Sequence, residues 1–198
     1  CMVIFFILAE SGLFCYCNHC QNKFRSWVKE KYQTTQALTD AWAWGTTYYV
    51  YNDWSDVFPP ESPPSAWASV TRWLDWRLFC QDAFVDFAGW QHDMIKKMDP
   101  DHPTSINTFN FKGFDRFGVF TGLDQWKLAT RVDHMGYDLY PGSGNKLATR
   151  PEFISMFLDH GKSVAKSVGR DFWLHEIESG PIGGWVMGPD YRTESSDI

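Results

Sequence analysis

Residues 2–9, "MVIFFILA", carry no polar side chain at any position. A short run that is apolar throughout predicts a strand buried on both faces, as parallel sheets require. It is far too short to span a bilayer. From Asn18 to about Tyr32 the period changes: Cys20, Phe24, Trp27 and Val28 recur at helical spacing with charges between them, which predicts a helix. Residues 41–64, "AWAWGTTYYVYNDWSDVFPPESPP", follow neither period and end in prolines. They predict a long aromatic loop, and long loops inside compact domains usually serve function.

A long helix is predicted from about Ala66 to Met98, with Trp67, Val70, Leu74, Leu78, Phe84, Phe87 and Ile95 tracing its buried face and "MDPDHP" ending it. "TSINTFN" (104–110) predicts a strand, "GLDQWKLATRV" (122–132) a short helix and "DHMGYDLYP" (133–141) another strand. "RPEFISMFLDHGKSVAKSVG" reads as a helix with Pro151 in its first turn and Gly169 as its stop. "RDFWLHEIESG" is the last strand.

Alternation of this kind implies α/β architecture, with parallel strands covered by helices. No repeat, low-complexity tract or linker interrupts residues 1–198, so a single domain is expected. In a parallel sheet all C-terminal strand ends share one rim. Glu10 ends the first predicted strand and Glu176 the last, so the two carboxylates face each other across a pocket if the sheet curves into a barrel. Four strands do not close a (β/α)8 TIM barrel, which takes about 250 residues. The expectation is therefore a partial barrel, incomplete at both ends.

Composition narrows the ligand. Aromatic residues make up 18% of the chain, with 11 Trp, and the formal net charge is −6 with no Lys/Arg cluster. Nucleic-acid surfaces need a basic stripe. Aromatic platforms without one point to a neutral ligand such as a carbohydrate. The five cysteines are an odd count, and Cys15, Cys17 and Cys20 lie within six residues. This suits a reducing compartment, the cytoplasm, and a metal site better than a disulfide framework. C-x-C-x2-C brings three thiolates within reach of one tetrahedral ion. The fourth ligand stays open: His19 shares the same crowded turn, and Cys1 and Cys80 have no supporting spacing. Three reduced, metal-free thiols are the alternative.

An ordered series of segments resembles glycoside hydrolase family 42, the bacterial β-galactosidases. A strand-ending glutamate is followed by "CYCNHC", "FRSWVKEKY" and an aromatic W-G-T loop; "FTGLDQWKLATRVDHMGYDLYP" and "FWLHEIESGPIGGW" come later, in the family's order. The resemblance covers nearly the whole chain and implies about strands 4 to 7 of a TIM barrel that hydrolyses terminal β-D-galactosides, or oligosaccharides carrying them, with retention. It places Glu10 as general acid/base and Glu176 as nucleophile, in preference to Glu178. It makes Cys15, Cys17 and Cys20 three ligands of a structural zinc whose fourth cysteine comes earlier in the family's chains. It places Trp185 at the galactose site, Tyr49 in the loop after the acid/base strand, and Asn107 at a family position on the rim. No organic cofactor is implied, and homotrimers are common in the family. Ala9 departs from it, standing where members carry an asparagine that binds the sugar 2-hydroxyl.

Asp138 and Tyr140, at the end of the third predicted strand, join Asn107 as candidate substrate or Glu176 partners, with loop capping as the other reading. Retaining hydrolysis needs one ionised carboxylate and one protonated carboxyl about 5 Å apart. Polar neighbours, His175 or Tyr140, are expected to keep Glu176 ionised, and the apolar strand before Glu10 to raise its pKa. Taken alone, the fragment is expected to be inactive. The other readings are a non-catalytic carbohydrate-binding relative and a zinc-stabilised structural module.

Overall fold

The computed structural model describes residues 4–5, 14–43, 49–64, 69–108, 123–139 and 151–177. The chain divides into two compact units, one of residues 12–84 and one of 1–11 with 85–198.

The second of these is built on a four-stranded sheet, β1 (Ile4–Phe5), β2 (Ser105–Thr108), β3 (His134–Leu139) and β4 (Phe172–Ile177), in that order and parallel throughout. The predicted strands and their parallel order stand among the described residues. Ser105 faces His134, Asn107 faces Gly136 and Met135 faces Phe172. One face of the sheet, with Ile106, Met135, Tyr137 and Leu139, is buried, and its β3 and β4 part is covered by α5 (Pro151–Ser167), whose Phe157, Gly161, Val164 and Ala165 are buried. Tyr137 is the centre of this layer: Phe157 lies 5.3 Å and Phe172 5.2 Å from its ring. Gly161 makes room, since a Cβ there would overlap both Tyr137 and Phe172. The helix stops where the sequence predicts, with Gly169 at φ +68° and Arg170 N–H donating to Ala165 O at 3.0 Å. The short helix α4 (Gln125–Ala129) starts on Asp124, whose side chain accepts from Lys127 N–H at 3.0 Å. Its Gln125 then receives the Tyr137 hydroxyl.

The N-terminal ends of β2, β3 and β4 meet at Asp133. Its carboxylate accepts from Thr104 N–H at 2.9 Å, from Lys96 Nζ at 2.9 Å and from Arg170 Nη1 at 3.4 Å. Burial works against that charge, but the Thr104 N–H and the Lys96 ammonium outweigh it and hold the Asp133 pKa down at about 2.

In the unit of residues 12–84, α1 (Asn18–Tyr32) has the predicted bounds and ends on Gln33 at φ 65°. A second helix, α2 (Thr35–Trp42), was not predicted; Thr34 Oγ1 caps it by accepting from Ala37 N–H at 3.1 Å. The aromatic loop holds one 3-10 turn, Trp54–Asp56, closed by a capping box between Asp53 and Asp56. The 29-residue helix α3 (Val70–Met98) gives residues 70–84 to this unit and 85–98 to the other. Trp27 Nε1 donates to Asp82 at 3.2 Å and Lys31 Nζ meets Asp75 at 2.6 Å. The pairing runs backward along α3 as it runs forward along α1, so the two helices are antiparallel.

The predicted buried face of α3 is corrected. Val70, Leu74, Leu78 and Phe87 are exposed; Trp76, Phe79, Cys80, Val85 and Ala88 are buried. The helix carries two apolar stripes, and periodicity alone does not choose between them. Phe24 makes the choice in residues 70–84, lying 5.1 Å from Trp76 and 5.4 Å from Phe79. Farther along, Gly89 leaves room for the Arg131 guanidinium, which a Cβ there would overlap. Trp42 and Tyr51 do hold the aromatic loop inward, packed edge to face at 5.3 Å.

Asp75, buried on that same stripe, accepts from Lys31 Nζ (2.6 Å), Tyr32 Oη (2.6 Å) and Trp42 Nε1 (2.8 Å). It ties α1, α2 and α3 through one carboxylate. Asp75→Ala strands three donors and is expected to cost about 3–5 kcal/mol, read as a lower urea midpoint by tryptophan fluorescence. For Asp133 the sign follows from a folded pKa below the ordinary 3.8. Its contribution is full above the unfolded pKa and is lost as pH falls through about 2. Asp133→Ala is expected to lose about 2 kcal/mol at pH 7, with the gap to wild type closing in urea titrations taken toward pH 2.

Candidate functional site

At the C-terminal ends of the strands three predicted residues come together. Asn107 of β2, Asp138 of β3 and Glu176 of β4 share the sheet face opposite Tyr137. Asn107 Nδ2 stands 3.5 Å from Glu176 Oε1, and Asp138 pairs with Glu176 across the β3–β4 ladder. Asn107 and Asp138 are buried, Asp138 completely. Among the described residues, Asn107 Oδ1 and both carboxylate oxygens of Asp138 have no hydrogen-bond partner. All three are acceptors. Buried polar atoms left unpaired are costly, and a ligand rich in hydroxyl donors would satisfy them.

Burial first, and then the neighbouring Glu176 charge, raise the Asp138 carboxyl pKa to about 6 in all, with the Asn107 amide partly offsetting them without reaching hydrogen-bond geometry to either Asp138 oxygen. At neutral pH two acidic groups thus lie side by side. The expected partner of Glu176, His175, turns instead to Ser105: its Nε2 lies 2.6 Å from Ser105 Oγ. Asn107, the other expected partner, is the one that stands beside Glu176. Glu10, Tyr140 and Trp185, with Ala9 and Glu178, lie outside the described residues.

His175 was named from the sequence, but its packing against Ser105 and Gly136 was missed. The signal for it was a glycine in the middle of a strand, "HMGYDL", which marks close approach by another group. A Cβ on Gly136 would overlap the His175 imidazole.

In the unit of residues 12–84, Cys15, Cys17 and Cys20 place their sulfurs within 4.8 Å of one another, with Cys15 and Cys17 3.4 Å apart. Two thiolates on a tetrahedral zinc at 2.3 Å are separated by about 3.8 Å, so the three sulfurs suit one face of such a site. The Cys20 N–H and the Cys15 thiol lower the Cys17 pKa to about 7, while burial raises that of Cys20. One thiol is thus ready to ligate near neutral pH. Tyr49, in the same unit, is 60% exposed and packs edge to face on Tyr51 at 4.8 Å. Among the described residues no helix is long and apolar enough to cross a membrane.

Residues 2–191 match the glycoside hydrolase family 42 model, described as "Beta-galactosidase". The chain belongs to glycoside hydrolase family 42. Among its relatives, β-galactosidase BglY of Alicyclobacillus acidocaldarius is 32% identical over 161 residues, which is 79% of this chain and 22% of BglY. β-Galactosidase GalA of Bacillus licheniformis is 33% identical over 145 residues, 73% of this chain and 21% of GalA. The chain thus spans about a fifth of the length of these relatives. A cold-adapted β-galactosidase from Rahnella sp. R3 matches 93% of the chain with 25% of its own, at TM-score 0.69 and 27% identity. A polyextremophilic β-galactosidase from Halorubrum lacusprofundi shares the fold over 83% of the chain and 25% of its own, at TM-score 0.67 and 24% identity.

The cysteine arrangement is testable without turnover. The purified chain is expected to bind about one zinc, measured by metal analysis after dialysis, and Cys17→Ser to weaken retention at least ~10-fold through loss of one thiolate.

Proposed function

We propose that this chain is a single, partial catalytic domain, about strands 4 to 7 of the TIM barrel of a retaining β-galactosidase. What carries the reading is Glu176: it stands at the C-terminal end of a parallel strand, beside Asn107 and Asp138, in a family 42 chain. Active sites of such barrels lie at that end.

In this reading Glu176 attacks the anomeric carbon of a terminal β-D-galactoside while Glu10 protonates the leaving oxygen. A covalent galactosyl–Glu176 ester forms. Glu10, now a base, takes a proton from water, which hydrolyses the ester with net retention. Asn107 supports Glu176 in its ionised form by pointing an amide N–H at its oxygen. Asn107 Oδ1 and the Asp138 carboxylate, unpaired among the described residues, accept from sugar hydroxyls. Trp185 stacks on the apolar face of galactose, and Tyr49 and Tyr140 complete the substrate contacts. A zinc held by Cys15, Cys17, Cys20 and a fourth protein ligand would supply a structural cross-link, with no open position for water. The protein works in the cytoplasm and assembles as a homotrimer.

On the full-length protein, Glu176→Gln is expected to lower kcat for a nitrophenyl β-galactoside by at least ~10³-fold; unchanged turnover would overturn the assignment. Ala9 favours a second reading, a carbohydrate binder without turnover. Calorimetric galactose binding with no hydrolysis by the wild-type protein selects it.

A further inference from the structure

Along β3 and β4 Tyr137 faces Leu174 and the next pair is Asp138 with Glu176. His175 therefore has no counterpart in β3, and β4 carries a one-residue bulge there. Side chains alternate along a strand, so without the bulge Glu176 would follow Phe172 and Leu174 onto the face of Tyr137, against the helices. With the bulge, Trp173, His175 and Glu176 all lie on the face of Asn107 and Asp138.

The bulged residue is anchored. Its imidazole crosses β3 in the space left by Gly136 and reaches Ser105 of β2, Nε2 to Oγ 2.6 Å. Ser105 Oγ donates its own proton to His134 O at 3.1 Å. It can then only accept from His175, which assigns the Nε2–H tautomer and leaves Nδ1 bare; that atom is buried without a partner. The ring is walled by Trp173 at 6.2 Å, which stacks on His134 at 4.2 Å.

We propose that His175 is a positioning residue for Glu176: its hydrogen bond to Ser105 across Gly136 holds the bulge that turns the carboxylate toward the substrate. The inference rests on the proposed role of Glu176. Burial, with His134 close by, lowers the His175 pKa and so favours the neutral ring.

The test is steady-state hydrolysis of a nitrophenyl β-galactoside by the full-length protein. His175→Ala and Gly136→Ala are expected to lower kcat about 10- to 100-fold with KM nearly unchanged, the size of effect that a small misplacement of a reacting group produces. His175→Gln, which keeps an N–H near Ser105, should recover most of the loss. Ser105→Ala removes one oxygen atom and leaves the packing intact; combined with His175→Ala it should cost no more than His175→Ala alone. Urea midpoints check folding, and if Gly136→Ala does not fold, the Ser105/His175 cycle decides. Wild-type kcat in His175→Ala, or losses that simply add in the double variant, overturns the proposal. Full turnover by Glu176→Gln overturns the reading beneath it, whereas a dead Glu176→Gln beside a fully active His175→Ala overturns the positioning role alone.

Discussion

One carboxylate gathers the starts of three parallel strands. Asp133 takes hydrogen bonds or ion pairs from the segments that lead into β2 and β4 and from the end of α3. This tie fixes the level at which the three strands begin. Asn107 then stands level with Gly136, and the one-residue bulge at His175 brings Glu176 level with Asp138. The stabilising charges sit at one end of the strands, and the unsatisfied acceptors at the other. The tie that holds the strands and the candidate site thus lie at opposite ends of the strand axis, as barrel folds generally allow.

Much of this was legible in the chain itself. The strands after Met98 announced themselves by apolar runs between turn residues, and Gly169 stopped its helix where only a left-handed residue fits. Asn107, Asp138 and Glu176 were readable as rim residues, because parallel order alone sends all strand ends to one side. The buried side of α3 was not legible: both of its stripes are apolar, and the choice was made by Phe24, some fifty positions upstream. Helix α2 was hidden because its eight residues are too short for a periodic signal, and its evidence lies in Thr34 as a cap. The orientation of Glu176 was also illegible. Simple alternation along "FWLHEI" puts it on the wrong face, and only the bulge at His175 reverses that.

The unit of residues 12–84 uses a different economy of interactions. Its core is aromatic, and aromatic side chains bring polar tips that need partners. Asp75 absorbs two of them, the Tyr32 hydroxyl and the Trp42 indole, together with the Lys31 ammonium. One buried acid therefore serves a whole layer of rings. The cysteine trio lies on and just before the first turn of α1, the helix whose last turn carries Lys31 and Tyr32. The same helix thus carries a metal-ligand set at its start and a salt bridge near its end, each suited to restrain it.

The space at residue 136 has a consequence for sequences rather than for single molecules. Any side chain there occupies the volume that the His175 ring now fills. A side chain at 136 and the imidazole of 175 in this place therefore exclude each other, so substitution at the first position is closed for as long as the second keeps its ring there.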